Sequence, residues 1–358
     1  MIAAGAGGSF APYDRPMTSP APPGHAARAA GDAEPWTTRR LLAWITSHFA
    51  AKGVEAPRVC AEMLMAQAFA CERLRLYMEV DRPASPDELE RLRGWVKRVA
   101  AHEPVQFVVG EAWFFGRAFQ VSPATLVPRP ATETLVEAAV THLRQLPAEA
   151  PRRLLDLCTG SGCLGLSTVA TLTGARKLPQ ESAPPPRIEI RAVLTDAVPA
   201  AAELAGRNAA RHGLEPLVEI RVGDLWEALA PGERGSFHVI SANPPYVADG
   251  EWDSLPDNVR LHEPATALRG GPDGLDVVRR ILAEAHAWAA PTALLLVEIG
   301  DPHAEAALQL ARTAPGWERV SLHCDHEGLP RMLRLSRGAD ATEPAAMPPR
   351  SGPSGPPR

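Results

Sequence analysis

Short apolar runs alternate with amphipathic helices in the part of the chain that follows Arg152. Seven such runs, rich in Val, Ile and Leu, lie at residues 154–157, 188–194, 218–222, 237–241, 293–299, 319–324 and 331–335. Apolar strands separated by helices are typical of a parallel sheet that is buried on both faces. The pattern therefore predicts an α/β fold built on a mostly parallel seven-stranded sheet.

A helical periodicity marks the residues before this region. Apolar side chains recur at helical spacing from Thr37, and a second helix is predicted from Pro57. A third is predicted to start at Ser85, because a proline at the first helical position and Glu88 three residues after the serine form a capping-box signature. We expect a small all-α N-terminal domain over residues 35–102.

The aromatic residues around Gly116 favour a hairpin within 107–121, so we predict a hairpin linker over 103–128 and the sheet domain over 129–337.

Proline accounts for 37 of the 358 residues, about twice its usual share of roughly 5%. Segments 1–34, 176–187 and 338–358 are rich in proline and small residues. We predict that the two ends are disordered tails and that 176–187 is an insertion in a surface loop.

Charge and cysteine usage exclude several classes of protein. Lys and Arg total 37 against 42 Asp and Glu, a net charge of −5, which disfavours direct binding to nucleic acid. The longest apolar stretch, 289–297, is too short to span a bilayer, and the first ten residues lack the features of a secretory signal. Five cysteines without a C-x-x-C pair indicate reduced thiols, so we expect a cytoplasmic protein without membrane association.

The first candidate site is a glycine-rich turn between a predicted strand and the helix that follows it. Its candidate ligand-binding residues are Asp156, Cys158, Thr159, Gly160, Ser161 and Gly162. The two glycines let backbone N–H groups approach a ligand at the helix N-terminus, as in Rossmann-type turns. A purely structural tight turn is the alternative, and phosphate binding is disfavoured because no Gly-Lys-Ser/Thr sequence follows.

Two acidic residues follow the next two predicted strands. Asp196 ends the first of them, where a carboxylate can accept two ribose hydroxyls, although it could instead cap a helix. Asp224 ends the second, where it could accept the exocyclic amine of an adenine or serve as an ordinary turn residue.

The most specific motif is Asn243-Pro244-Pro245-Tyr246, directly after the predicted strand at 237–242. Two prolines cannot continue a central strand, so the backbone must leave the sheet there with its carbonyls turned outward. Asn243 supplies an amide that accepts and donates hydrogen bonds, and Tyr246 supplies a flat face. The group suits a planar target that carries an NH₂, whereas a structural proline turn is the alternative.

Together these motifs resemble the class I S-adenosylmethionine-dependent methyltransferases that act on amide or amino nitrogen. More narrowly, the chain is similar over about residues 36–337 to the release-factor glutamine N5-methyltransferase family. Further segments match the family in order, namely PVQFVVG at 104–110, FFG within 114–121, LVPRPATE at 126–133, EPATAL at 263–268 and DGLD at 273–276. The resemblance implies a Rossmann-like methyltransferase domain that uses S-adenosylmethionine.

The resemblance also implies roles for the candidate residues. The 158–162 turn would hold the methionine part of S-adenosylmethionine, Asp196 would bind its ribose, and Asp224 with Leu225 would flank its adenine. Residues 243–246 would grip the target glutamine, in the GGQ motif of a peptide chain release factor. The helical domain would bind this protein partner.

The segment Pro128-Arg129-Pro130 would wall the site, whereas Thr132 and Glu133 could equally serve only to start a helix. Cys158 stands where the family usually has glycine, and the turn resembles more closely a related branch that methylates a ribosomal-protein glutamine. Methylation of a large-subunit ribosomal protein is therefore the main alternative. An adenine-N6 DNA methyltransferase, a guanine-N2 RNA methyltransferase and a catalytically silent binding module are the others.

A histidine and cysteine cluster at 323–326 is the one sequence hint of a metal site. Zinc sites need a second pair of ligands at suitable spacing, and the sequence offers none. We predict no metal, and the resemblance instead aligns Asp325, Gly328 and Arg331 with a turn between the last two strands.

Overall fold

The structure is a computed structural model that describes residues 35–174 and 188–338. The predicted insertion at 176–187 and the predicted tails, apart from Gly338, lie outside these residues. The helices are α1 Thr38–Ala51, α2 Pro57–Ala68, α3 Arg73–Met78, α4 Pro86–Ala100, α5 Val105–Val109, α6 Glu133–Gln145, α7 Cys163–Leu172, α8 Pro199–Arg211, α9 Asp257–Arg260, α10 Asp276–Trp288 and α11 Ala304–Arg312. The strands are β1 Glu111–Phe114, β2 Arg117–Gln120, β3 Arg153–Leu157, β4 Arg191–Asp196, β5 Val218–Val222, β6 Phe237–Ala242, β7 Ala289–Glu298, β8 Arg319–Cys324 and β9 Pro330–Ser336.

Seven strands form one sheet in the order β5-β4-β3-β6-β7-β9-β8. The first five are mutually parallel, and β9 pairs antiparallel with both β7 and β8. Leu155 on the central strand β3 faces Val193 of β4 and Ile240 of β6, and all three side chains are buried. The α/β fold class with a mostly parallel seven-stranded sheet is therefore confirmed. The strand order reverses between β3 and β6, and ligands of such sheets bind at this point.

The helices before the sheet pack around their own apolar cluster, which includes Ile45, Phe49, Leu64, Leu92 and Val96. All three predicted helix starts are confirmed, two of them by side-chain caps. The Thr37 hydroxyl accepts the Arg40 N–H, and Ser85 and Glu88 form the reciprocal capping box. Helix α3 was not predicted, because six residues are too few to show a helical period. The domain boundaries themselves stay a prediction.

The hairpin consists of β1 and β2, which meet at a turn with Phe115 and Gly116 in the left-handed region. The hairpin thus lies within the predicted range 107–121, but the first residues of that range belong to α5, Val105–Val109, which ends at Gly110 with φ 75°. The buried side chain of Asn208 on helix α8 links this hairpin to the sheet domain by hydrogen bonds. Asn208 accepts the Gln120 N–H at 2.7 Å and donates to the carbonyls of Gln120 and Ser161 at 3.0 and 2.8 Å.

Within the described residues, no helix combines the length and apolar character needed to cross a membrane.

Candidate active site

A cavity of about 420 Å³ opens at the carboxyl ends of β3, β4 and β6, where the strand order reverses. Its volume lies in the range of small-molecule sites. Most of the predicted site residues line it, namely Asp156, Cys158, Thr159, Gly160, Ser161, Asp196, Asp224, Leu225, Asn243 and Pro245. The structure therefore brings together residues that come from four separate strand ends.

The glycine-rich turn adopts backbone conformations that explain its composition. Cys158, Gly160 and Gly162 have φ angles of 55°, 56° and 81°, in the left-handed region that favours glycine. A Cβ on Gly162 would lie 2.8 Å from Leu166 Cδ1 and 3.3 Å from Ala205, so a side chain there would clash with α7 and α8. Cys158 holds the same conformation at a steric cost, which is typical of functional turns.

Asp156 is buried under this turn and holds its shape. One carboxylate oxygen accepts the Thr159 hydroxyl at 2.6 Å and the Gly165 N–H at 3.1 Å. The other accepts the Ser241 hydroxyl at 2.8 Å, across to β6. Burial raises the pKa of Asp156 to about 6, although these hydrogen bonds oppose the shift. Both carboxylate oxygens of Asp156 therefore already accept hydrogen bonds from the protein.

Asp196 connects the end of β4 to the glycine-rich turn. One of its oxygens accepts the Gly160 N–H at 2.9 Å, and the other accepts the Val198 N–H at 2.9 Å. Burial raises the pKa of this carboxyl group. The Val198 bond is local, as a capping residue would make, but the Gly160 bond joins two walls of the cavity. Each carboxylate oxygen keeps further acceptor capacity for a ligand hydroxyl.

Asp224 and Leu225 form the wall beyond β5. The Asp224 carboxylate is about half exposed and pairs with Arg280 at 2.9 Å. Leu225 is buried with a φ of 50°, so its backbone is held in the left-handed region beside the cavity. Asp224 therefore reaches the cavity with a positively charged neighbour that sequence reasoning did not anticipate.

The Asn-Pro-Pro-Tyr motif leaves the sheet at the end of β6, as the two prolines predict. Asn243 and Pro245 line the cavity, whereas Pro244 is buried and Tyr246 is held by its hydroxyl, which donates to Glu298 at 3.4 Å. Gly270 packs against the motif so closely that a Cβ there would lie 2.8 Å from the Pro245 carbonyl oxygen. The 263–276 segment therefore braces the motif from behind.

Sequence reasoning missed the buried groups that support this motif. The Asn243 amide nitrogen donates to the Thr132 hydroxyl oxygen at 3.2 Å, and the Thr132 hydroxyl donates to Glu298 at 2.6 Å. Glu298 lies in the otherwise apolar predicted strand at 293–299. A single acidic residue in that strand was the signal that could have indicated a role for it.

A second missed connection lies beside the first. Glu263 is fully buried, accepts the Val127 N–H at 3.0 Å and forms an ion pair with Arg129. Burial raises the pKa of Glu263, and Arg129 opposes the shift. The segments around residues 129 and 263 were identified separately in the sequence. The structure shows that they are in contact.

The 323–326 cluster has a structural role. Asp325 accepts the backbone N–H groups of Glu327 and Leu329 and the Arg331 guanidinium, which shapes the turn between β8 and β9. Among residues 35–174 and 188–338, no group of three or more His, Cys, Asp or Glu residues could hold a metal ion.

Comparison with known proteins gives consistent results. A family model described as "PrmC N-terminal domain" matches residues 40–110. A protein of Geobacter sulfurreducens is 38% identical over 275 residues, which cover 77% of this chain and 88% of that protein. Proteins of Rhodopirellula baltica and Koribacter versatilis are 32% and 36% identical and cover 85% and 80% of this chain and 97% and 93% of their own lengths. All three are named "Release factor glutamine methyltransferase".

Proposed function

The chain belongs to the release factor glutamine methyltransferase family, and on this premise we propose that it methylates the side-chain amide nitrogen (N5) of a glutamine in a peptide chain release factor. The methyl donor is S-adenosylmethionine. The observation that carries the proposal is the identity of 32–38% to proteins of that name over at least 77% of this chain. The Asn-Pro-Pro-Tyr motif at the mouth of the cavity gives the proposal its chemistry.

The residues around the cavity fit the methyl donor. We propose that the 158–162 turn, at the N-terminus of α7, holds the carboxylate of the methionine part, since helix N-termini favour anions. Asp196 would accept the ribose hydroxyls with the lone pairs that Gly160 and Val198 leave. Asp224 and Leu225 would flank the adenine. Asp156 would act by shaping the turn, because its oxygens already accept three protein hydrogen bonds.

When bound, S-adenosylmethionine supplies an electrophilic methyl group on a sulfonium. A glutamine amide nitrogen is a poor nucleophile, because its lone pair is delocalised into the carbonyl. We propose that the oxygens of Asn243 and the Pro244 carbonyl accept its two N–H bonds and so turn the lone pair toward the methyl group. Pro245 and Tyr246 would complete the wall that orients the glutamine. Once methylated, the nitrogen becomes acidic and releases a proton to water, so the transfer needs no side-chain base.

The helical residues 35–102 are proposed to hold the protein partner, with the hairpin of 103–128 linking them to the methyltransferase domain at 129–337. The net charge of −5 supports a protein substrate over nucleic acid. A cytoplasmic location follows from the cysteine pattern and stays a prediction.

The test is incubation of the purified protein with methyl-labelled S-adenosylmethionine and, in separate reactions, a peptide release factor, the large ribosomal subunit and duplex DNA. We expect label on a release-factor glutamine and its loss in an Asn243→Ala variant that still binds the cofactor. Label only on a ribosomal protein would keep the chemistry and change the substrate. Label only on DNA, or on none of the three, would overturn the proposal.

A further inference from the structure

Glu298, the last residue of β7, is 1% exposed yet lies directly behind the Asn-Pro-Pro-Tyr motif. Its two oxygens accept hydrogen bonds from different segments. One accepts the Thr132 hydroxyl at 2.6 Å, and the other accepts the Tyr246 hydroxyl at 3.4 Å. A buried carboxylate is costly to maintain, and an apolar residue would suit the end of this strand better.

The proton of the Thr132 hydroxyl explains why the carboxylate matters. A hydroxyl has one proton to donate, and here Glu298 takes it. Toward Asn243 the Thr132 oxygen can then only accept, so the Asn243 side chain must present its NH₂ to Thr132. This is the arrangement in the structure, at 3.2 Å. The Asn243 oxygen is consequently the atom left to face a ligand in the cavity.

We propose that Glu298 is a positioning residue that acts through Thr132 to fix the Asn243 carboxamide with its oxygen toward the target glutamine. The inference rests on the proposed function. A reversed carboxamide would offer an NH₂ donor to the NH₂ of the glutamine, and two donors cannot form a hydrogen bond. The hydrogen-bond chain from Glu298 to Asn243 thereby selects the productive orientation before substrate binds.

The orientation depends on the ionisation of Glu298. A protonated Glu298 could donate to Thr132, whose own proton would then turn to Asn243 and favour the reversed carboxamide. Burial raises the pKa of Glu298 to about 7, and the hydrogen bond from Thr132 opposes the shift. The charged or titratable groups around it are Arg331 on β9, Arg129 before α6, Tyr246 after β6 and Cys163 on α7. The productive state should therefore be lost as the pH falls below about 7.

Substitution of Thr132 separates this role from simple packing. Thr132→Val keeps the shape but has no hydroxyl, whereas Thr132→Ser keeps the hydroxyl. We expect Thr132→Val to lower kcat on the release factor at least 10-fold, with cofactor affinity within about 2-fold of wild type, and Thr132→Ser to restore most of the rate. Thr134→Val is the matched control, since Thr134 is buried nearby and its hydroxyl donates to the Ala131 carbonyl at 2.8 Å. It should leave kcat unchanged.

The pH profile supplies the second readout. Wild-type kcat should rise through an apparent pKa near 7, and Glu298→Gln should lack this rise because its amide does not ionise. An unaffected Thr132→Val, a Thr132→Ser as slow as Thr132→Val, or a Glu298→Gln that keeps the rise would each overturn the inference while leaving the proposed function intact. A wild-type protein that does not methylate the release factor at any pH would overturn both.

Discussion

The Gly160 backbone N–H donates to the Asp196 carboxylate at 2.9 Å. The bond joins the turn after β3 to the end of β4, so two walls of the cavity are fixed relative to each other without a ligand. Preorganisation of this kind lowers the ordering cost of binding. It also gives Asp196 a structural role beside its proposed ribose contact, so its substitution has a defined signature.

Asp196→Asn should weaken the binding of S-adenosylhomocysteine at least 10-fold. An asparagine replaces one acceptor oxygen with an NH₂ group, which must then face the N–H of either Gly160 or Val198. It also removes the charge that strengthens hydrogen bonds from ribose hydroxyls. Isothermal titration calorimetry measures the affinity directly.

Asp253→Asn is the control for the change of charge, because Asp253 is exposed and does not line the cavity. It should bind the ligand as wild type does. An Asp196→Asn protein with affinity within about 2-fold of wild type would contradict the proposed ribose contact.

Gly165→Ala and Gly94→Ala should change stability in opposite directions. A Cβ on Gly165 would lie 2.9 Å from the Leu194 side chain and 3.0 Å from the Asp156 carboxylate, so we expect a loss of about 1–3 kcal/mol. Gly94 lies exposed within α4, and a Cβ added there would meet no atom within 4 Å, so alanine should add roughly 0.5–1 kcal/mol. Urea unfolding of both variants checks the pair. Two shifts of the same sign would refute the packing argument at one of the sites.

Arg129→Met should cost more stability at pH 8 than at pH 5. It leaves the buried Glu263 carboxylate with the Val127 N–H and without its cation. Because Arg129 is about one-third exposed, we expect about 2 kcal/mol rather than the ~3–5 kcal/mol of a fully buried pair. The Glu263 pKa, already raised by burial, rises further without Arg129, so protonation relieves the cost as the pH falls.

Glu263→Gln is the companion variant, since it removes the buried charge together with the need for its partner. It should cost less than Arg129→Met at pH 8. Urea unfolding of both variants at pH 5 and pH 8 measures these losses of stability. A loss for Arg129→Met that is the same at both pH values would contradict the proposed protonation of Glu263.

The contributions of Glu298 and Asp156 to the free energy of unfolding should fall as the pH rises from 5 to 8. Burial raises the pKa of Glu298 from 4.5 to about 7 and that of Asp156 from 3.8 to about 6, so the folded state holds protons that the unfolded state releases. Stability from such groups is fully present below the unfolded pKa and is lost as the pH passes the folded pKa. The contribution of Glu298 should reach about 3 kcal/mol.

Glu298→Gln isolates this contribution, because the glutamine stays neutral over the whole range. Its unfolding free energy, measured in urea at pH 5, 6, 7 and 8, should fall less steeply than that of the wild type. Equal slopes would mean that Glu298 does not titrate in this window.

Local signals predicted most of the fold. The β5 and β8 runs match the structure residue for residue. Both are edge strands in which apolar and polar residues alternate, and this period of two is a local signature of a strand. The Ser85 capping box was readable because all its groups lie within four residues. The residues of the cavity were predictable for a related reason, since they follow strands that a parallel sheet brings to one edge.

Contacts between distant residues were not predictable in this way. Thr132 and Glu298 are 166 positions apart, and Arg129 and Glu263 are 134 apart. Each of these side chains fits an ordinary local interpretation as a helix start, a loop residue or part of a strand. Only the folded chain shows that Thr132 and Glu298 support Asn243 and that Arg129 and Glu263 form an ion pair.

The Asn208 side chain bears on where a protein substrate can carry its glutamine. Its carboxamide binds both β2 of the hairpin and Ser161 of the glycine-rich turn, so the segment that connects the helices to the sheet is part of the cavity wall. The Asn208 bonds thus fix the end of this connecting segment relative to the cavity. For a partner that binds to the helical residues, as proposed above, this connection limits which glutamine on its surface can reach Asn243.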